Sequence, residues 1–333
     1  MQPLFVVFKI ALKSRLKPLY TDSLSSSKGA SPYYSERRCQ DLKIRFILNP
    51  LSGRAIGLEK LTAVVRKVFS SDRGIFEVRV AKDDLHARAL TEEALSLGYN
   101  YVFACGGDGT VHHVASALVG TGTVLGVVPA GSGNALAGAL NIPQDAEQAV
   151  AVVKKGRIIN VDVGSVAQRF FFTTASLAIE VQICKTYNSM KFNPRGILPY
   201  IPIALFEYLR YRPQRITVKT QEETFTLSPL VFTVANTGVF GGEFVISPYS
   251  EPYDGVFEVC IVDGVSFTGG LAAGLKLLKG NIHRAKGYRT LEIRQMTVER
   301  PSEGLIQLDG EPIMAPARLA FRVLAGALRV WAY

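Results

Sequence analysis

Apolar positions in the first half of the chain follow two alternating rhythms. Short strand-like segments at residues 44–48, 76–80, 101–105 and 124–128, the last two continuously apolar, alternate with stretches of helical spacing at 58–69, from Asp83 or Asp84 to Leu97, 111–119, 135–140 and 146–155. Helix punctuation agrees: Asp83 or Asp84 can cap a helix that stops at Gly98, and Asp145 with Gln148 forms a capping box for a helix closed by Gly156. Strand and helix in alternation predict a parallel sheet with helices on both faces. After about Asn160 the rhythm changes to runs at 159–163, 170–175, 215–218, 224–227, 230–235, 257–262, 289–294, 296–299, 305–308 and 318–324. These predict mostly antiparallel strands, interrupted by helical stretches at 197–211 and 271–279.

Two of the first-half runs end in glycine-rich turns. Gly106-Gly107-Asp108-Gly109-Thr110 leaves one, and Pro129-Ala130-Gly131-Ser132-Gly133-Asn134 leaves the next. Glycines there let successive backbone N–H groups surround an anion, and the helices that follow add their amino-terminal dipoles. A tight strand-to-helix connection needs glycine with or without a ligand, so either turn alone says little. Together, one with an acid and the other with Ser132 and Asn134, they point to phosphate. The nucleotide fingerprints Gly-x-x-x-x-Gly-Lys-Ser/Thr and Gly-x-Gly-x-x-Gly are absent, which disfavours a P-loop protein or a dehydrogenase. Upstream, the run at 44–48 ends in Asn49-Pro50-Leu51-Ser52-Gly53-Arg54, where Asn49 and Ser52 can hydrogen-bond a phosphate or a neighbouring loop and Arg54 offers a forked donor.

With Leu308-Asp309-Gly310-Glu311 late in the chain, these motifs make residues 42–330 resemble the lipid kinase family that includes bacterial diacylglycerol kinases, sphingosine kinases and ceramide kinases. The resemblance implies a nucleotide-binding α/β domain with a Rossmann-like parallel sheet (42–160), a β-rich, mostly antiparallel, sandwich-like lipid-substrate domain (161–325) and a C-terminal tail (326–333). It implies transfer of the γ-phosphoryl of ATP to a lipid hydroxyl, diacylglycerol-like first. Asn49, Pro50, Leu51, Ser52, Gly53, Gly106, Gly107, Asp108, Gly109, Thr110, Gly131, Ser132, Gly133 and Asn134 would hold the nucleotide, and Asp108 and Glu311 form the acidic cluster for magnesium. Glu311 is the first choice of base and Asp309 the second. The two would face one side if a strand continued through Gly310, whereas Asp-Gly is ordinarily a hairpin turn. A structural magnesium would take the Asp254 side chain and the carbonyls of Glu251 and Val256. Departures from the family pattern are Tyr253, His113, Ala81 and Ala178-Ile179-Glu180 in place of Gly-x-Asp. His112 and His113 diverge by about a hundred degrees on a helix, against a shared metal. Alternatives are a non-catalytic regulator that binds nucleotide or anionic lipid, and an enzyme like NAD kinase.

Composition adds a partner. The chain carries 38 Lys and Arg against 28 Asp and Glu, a net +10 that draws it to anionic surfaces. No nucleic-acid reading module is visible, and no run of eighteen apolar residues appears, so a peripheral, transient contact with membrane is expected of a cytoplasmic protein. A homodimer is compatible with the sequence. Cys39, Cys105, Cys184 and Cys260 lack Cys-x-x-Cys spacing and read as reduced thiols. Residues 1–41 read as a poorly ordered or peripheral extension, with an interfacial amphipathic helix over 5–19. The mixed basic and apolar stretch at 187–211 is the expected neighbourhood of the acyl chain, although core packing explains it equally well.

Overall fold

The computed structural model describes residues 5–10, 42–53, 56–190, 200–240 and 244–333. The chain divides into two units, one comprising residues 1–131, 140–159 and 329–333 and the other 132–139 and 160–328.

The first unit contains β1 (Phe5–Ile10), β2 (Leu42–Leu48), β3 (Gly74–Val80), β4 (Tyr101–Gly106) and β5 (Val124–Pro129), arranged β1-β3-β2-β4-β5. β2, β3, β4 and β5 are mutually parallel, and β1 joins β3 antiparallel. The extended run Phe5–Ile10 thus replaces the start of the expected interfacial helix; its β-branched and aromatic residues favour a strand that can pair with an open edge. Residues 11–41, including the rest of that helix and Cys39, lie outside the described residues. Helices α1 (Leu58–Val68), α2 (Asp84–Ser96), α3 (Asp108–Leu118), α4 (Ala135–Ala139) and α5 (Ala146–Lys155) follow the predicted rhythm, with α4 falling in the second unit. Alternate residues of β2 serve opposite faces of the sheet. Phe46 stacks on Phe103 at 4.7 Å between ring centroids. Arg45, only 1% exposed, goes the other way, donating to Glu77 (2.7 Å), Glu93 (3.0 Å) and the Leu90 carbonyl (3.0 Å).

In the second unit, strands β6 (Arg157–Val166), β7 (Arg169–Phe171), β8 (Thr174–Ser176), β9 (Ile216–Lys219), β10 (Thr224–Leu227), β11 (Val231–Ala235), β12 (Val239–Phe240), β13 (Phe244–Val245), β14 (Phe257–Val262), β15 (Tyr288–Ile293), β16 (Gln295–Glu299), β17 (Gly304–Leu308), β18 (Glu311–Ala315) and β19 (Arg318–Ala332) follow one another, with β6 beginning and β19 ending in the first unit. One sheet runs β15-β14-β11-β8-β17-β18, all antiparallel, and β19-β16-β9-β10 forms an antiparallel layer. Phe171, Phe232, Phe257, Ile306, Val298, Leu319 and Phe321 fill the core between them, as a sandwich requires. Helices α6 (Ile179–Ser189), α7 (Tyr200–Arg210) and α8 (Phe267–Leu278) complete the unit.

Two further features differ from expectation. Residues 326–333 are no tail: β19 continues to Ala332, and Arg329 and Val330 pair in parallel with β5, with Trp331 buried. Helix α6 carries β-branched residues at Ile179, Val181, Ile183 and Thr186, which mask its helical period. Cys105, Cys184 and Cys260 are free and buried, and burial pushes the Cys260 thiol up to about 11.

At Glu77 burial works to raise the carboxyl's pKa, but bonds from Tyr99 and Arg79 and the charge of Arg45 outweigh it and hold the group below its usual range. Arg45→Ala would leave Glu77 buried without its main counter-charge. It should cost about 3–5 kcal/mol in chemical denaturation, the usual result of removing one partner of a buried pair.

Candidate active site

The first cluster of site residues grows from the carboxyl ends of β2 and β4. Asn49, buried after β2, donates through Nδ2 to Asp84 Oδ1 (3.0 Å) and Thr110 Oγ1 (2.9 Å), while its own Oδ1 accepts from the Leu51 N–H (3.0 Å). Thr110 Oγ1 donates in turn to Asp84 Oδ1 (2.8 Å). Asp83 caps α2 by accepting from the His86 N–H (2.7 Å), and Asp84, one residue on, ties the Asn49 loop to the first turn of α3. Sequence reasoning saw only a cap at this pair and missed the tie. Ser52 Oγ accepts from the Gly107 N–H at 3.1 Å, which fixes the loop after β4.

The two glycine turns meet within this unit. A Cβ on Gly107 would stand 3.3 Å from Gly131 Cα, and one on Gly106 would collide with the Thr110 side chain at 2.6 Å. Asp108 then opens α3 with Gly107 as its cap residue, and no side chain caps the helix there. Backbone stripped of side chains at a helix amino terminus is the donor chemistry that phosphate uses, so these residues fit a nucleotide's phosphates. Pro50, Leu51 and Gly53 lie exposed on the first loop, Gly109 is half-buried, and Arg54 lies outside the described residues. The division between units falls inside the later loop. Ser132, Gly133 and Asn134 group with the second unit, where Asn134, at φ +51°, accepts from the Gly138 N–H (2.8 Å) to start α4.

The second cluster is the β17–β18 hairpin. Asp309 (φ +51°) and Gly310 (φ +90°) form a two-residue turn, the geometry that Asp-Gly favours. The strand therefore does not continue through Gly310, and Asp309 and Glu311 do not share a side of one strand as the sequence suggested. The Asp309 carboxylate accepts from the backbone N–H groups of Phe172 (3.0 Å), Thr173 (2.8 Å) and Thr174 (3.3 Å) and from Thr173 Oγ1 (2.7 Å). Gln307 Oε1 accepts from the Gly310 N–H (2.7 Å), and Asn188 Nδ2 donates to the Gly310 carbonyl (3.1 Å). Glu311, exposed at the start of β18, makes no side-chain hydrogen bond or ion pair among the described residues. Of the two carboxylates, Asp309 is engaged with its own fold and Glu311 is available.

The loop expected to carry a structural magnesium is held from below. Asp162, 1% exposed in β6, accepts from the N–H groups of Gly255 (2.6 Å) and Gly326 (2.7 Å), and its own N–H donates to the Pro252 carbonyl (2.8 Å). Asp254 is exposed and accepts from the Val256 N–H (3.0 Å). No group of three His, Cys, Asp or Glu side chains among the described residues could hold a metal. Glu251, Asp254 and Val256 instead offer one carboxylate and main-chain carbonyls, an oxygen-only set of the kind hard cations take. Asp162 escaped sequence reasoning, for an acid within an apolar run carries no signal of what it grips.

Against α6 and α7 lies a cavity of about 530 Å³ whose lining includes Lys185, Arg210, Arg212, Arg300, Glu207 and Glu303. Its charged walls differ from the greasy acyl slot expected near residues 187–211. Glu180, in the first turn of α6, is buried; its Oε1 accepts from the Phe232 N–H (2.9 Å) and Thr233 Oγ1 (2.7 Å), and its Oε2 has no partner. Burial pushes its carboxyl up to about 7 despite those donors.

Comparison with known proteins accounts for both units. The diacylglycerol kinase catalytic domain model matches residues 43–166, and the model of the YegS C-terminal NAD kinase beta sandwich-like domain matches residues 173–332. The chain is 27% identical over 303 residues to a diacylglycerol kinase of Mycobacterium tuberculosis, covering 88% of this chain and 96% of that protein. It is 29% identical over 291 residues to a Pseudomonas aeruginosa protein named "Probable lipid kinase YegS-like", covering 85% and 93%. A solved diacylglycerol kinase from Bacillus anthracis str. Sterne shares the fold, with a TM-score of 0.67 at 16% identity over 87% of this chain and 97% of that one. The chain belongs to the diacylglycerol kinase family of lipid kinases, phosphotransferases with an alcohol group as acceptor.

Two expected outcomes follow from this geometry. Glu180 has a folded pKa above its unfolded value, so the native state favours its neutral form. Its stability cost is absent below about pH 4.5, grows as pH rises and is complete above about 7, reaching up to about 3 kcal/mol. Glu180→Gln should therefore be near neutral at pH 5 and stabilising at pH 8 in paired denaturant titrations. Asp309→Asn replaces an ionised acceptor by an amide that cannot satisfy so many donors, and should cost about 2 kcal/mol by the same measurement.

Proposed function

We propose that the chain transfers the γ-phosphoryl of ATP to a hydroxyl of a membrane lipid, diacylglycerol-like above all. The observation that carries this is the close approach of Gly107 to Gly131 beside a helix terminus whose cap residue is glycine, backbone that phosphate oxygens can approach without Cβ obstruction. When bound, ATP with magnesium would supply the electrophilic phosphorus and neutralise charge on its oxygens.

The chain's own residues would then do four things. Ser52 holds the Gly107 N–H, and Asp84 holds Asn49 and Thr110, so the loops around the phosphates are rigid before nucleotide arrives. Asp108, at the amino end of α3, offers the carboxylate for magnesium. Glu311 would accept the proton from the lipid hydroxyl as that oxygen bonds to the γ-phosphorus and the bond from phosphorus to the bridging oxygen breaks to release ADP, a task for which an uncommitted carboxylate is suited. Asp309 does not titrate in this scheme; it positions the turn that carries Glu311. Asp254, with the carbonyls of Glu251 and Val256, would take a structural magnesium away from the chemistry. Association with membrane would be peripheral, since no helix among the described residues is long and apolar enough to cross one.

The test is phosphate transfer from labelled ATP in the presence of magnesium. Acceptors are diacylglycerol, sphingoid base, ceramide and phosphatidylglycerol in micelles, with NAD and sugar phosphates alongside. Label in a lipid supports the reading, and label only in NAD or a sugar phosphate overturns it. Asp108→Asn should lower turnover by far more than about ten-fold. Glu311→Gln should stop transfer while ATP binding, read by calorimetry, persists; an Asp309→Asn enzyme slower than Glu311→Gln would move the base assignment.

A further inference from the structure

Helices α7 and α8 turn their large apolar side chains outward. The only buried residue of α7 is Ile203, and α8 buries only Gly270 and Ala273. Meanwhile Ile201, Leu205 and Leu209 on α7 and Phe267, Leu271 and Leu275 on α8 are 37–60% exposed. Spacing of four residues places each trio on one stripe of its helix. An amphipathic helix packed for stability alone shows the reverse arrangement, with its large apolar residues inward.

The two stripes adjoin. Tyr208, flanked on its helix by Leu205 and Leu209, donates its hydroxyl to the Phe267 carbonyl (2.6 Å) and sets its ring 5.2 Å from that of Phe267. A Cβ on Gly270 would lie 2.2 Å from the Tyr208 hydroxyl, so glycine there is what lets the helices approach. Exposed apolar side chains thus stand on both helices that meet at this contact, unlike the isolated exposed leucines found on any protein. The charge there is mostly basic. Helix α8 has no acidic residue, and the single acid of α7, Glu207, accepts from the Thr186 hydroxyl. Arg210 and Arg212 follow the α7 stripe, and Lys276, Lys279 and Lys286 follow that of α8.

We propose that this two-helix surface is where the protein enters an anionic lipid bilayer, its six apolar side chains reaching the acyl boundary while the basic residues meet the headgroups. The inference rests on the lipid-kinase reading for its partner and adds the surface through which that partner is met. It needs no phosphate transfer to be tested.

The test uses the full chain with vesicles of phosphatidylcholine alone or mixed with phosphatidylglycerol. The wild type should partition about ten-fold or more better onto the anionic vesicles, and added salt should reverse the gain. Leu271→Ser with Leu275→Ser should weaken that partitioning by about ten-fold or more, and Lys279→Glu should weaken it on anionic vesicles only. Trp331 is the only tryptophan and is buried, so Leu275→Trp gives a clean reporter. The emission of that variant should shift to the blue on adding anionic vesicles. The double serine variant should keep wild-type turnover on detergent-dispersed lipid, because neither leucine belongs to the site described above. Unchanged partitioning of the double variant, or an emission of the Leu275→Trp variant indifferent to vesicles, would overturn the proposal. So would a double variant that binds vesicles normally but converts a dimer to a monomer, which would assign the face to a second copy of the chain. An enzyme that phosphorylates no lipid yet binds vesicles through these leucines would sink the kinase reading alone.

Discussion

The second unit's hairpin depends on one carboxylate that accepts from three successive backbone N–H groups. Asp309 takes the donors of Phe172, Thr173 and Thr174, where the chain passes from β7 to β8 and would otherwise leave N–H groups without partners. Charge-assisted bonds of this kind are stronger than neutral ones. The turn cannot drift along the sheet without abandoning them. Glu311, two residues on, inherits a defined position while its own carboxylate remains uncommitted.

The same device recurs twice. Asp162 uses both oxygens to hold Gly255 and Gly326, and Asp84 uses one to hold Asn49 and Thr110. In each case one acid ties together segments that ladder hydrogen bonds do not join. This separates two jobs that an acid can perform in a kinase, holding a loop and handling a proton or a metal. The proposed roles of Asp108, Asp254 and Glu311 belong to the second kind.

Much of this architecture was legible in the sequence because local chemistry and global fold agree. Strands β4 and β5 read as continuous apolar runs, Asp145 and Gly156 bracket α5 as predicted, and Asp-Gly made the turn it usually makes. The glycine loops could be named as a site from their motifs, and the structure agrees in leaving no room for a side chain at Gly106 and little at Gly107. What stayed hidden depends on residues far apart in the chain. Nothing local in Asp84 or Asp162 marks which loops they hold, the β-branched residues of α6 obscured its period, and the pairing of β1 with β3 or β19 with β5 is a tertiary outcome. The apolar stretch in α7 was noticed, but which of its sides faces solvent is decided by its packing.

The last strand has an implication for the order in which the molecule can assemble. Arg329 and Val330 cover the side of β5 that β4 does not, and they are made only after the whole second unit has been translated. Until then the nascent nucleotide half carries an exposed β ladder rich in valine, a template for pairing with another chain. Pairing with β19 is what closes that edge, so the nucleotide half is protected from such pairing only once the chain of the second unit has been made.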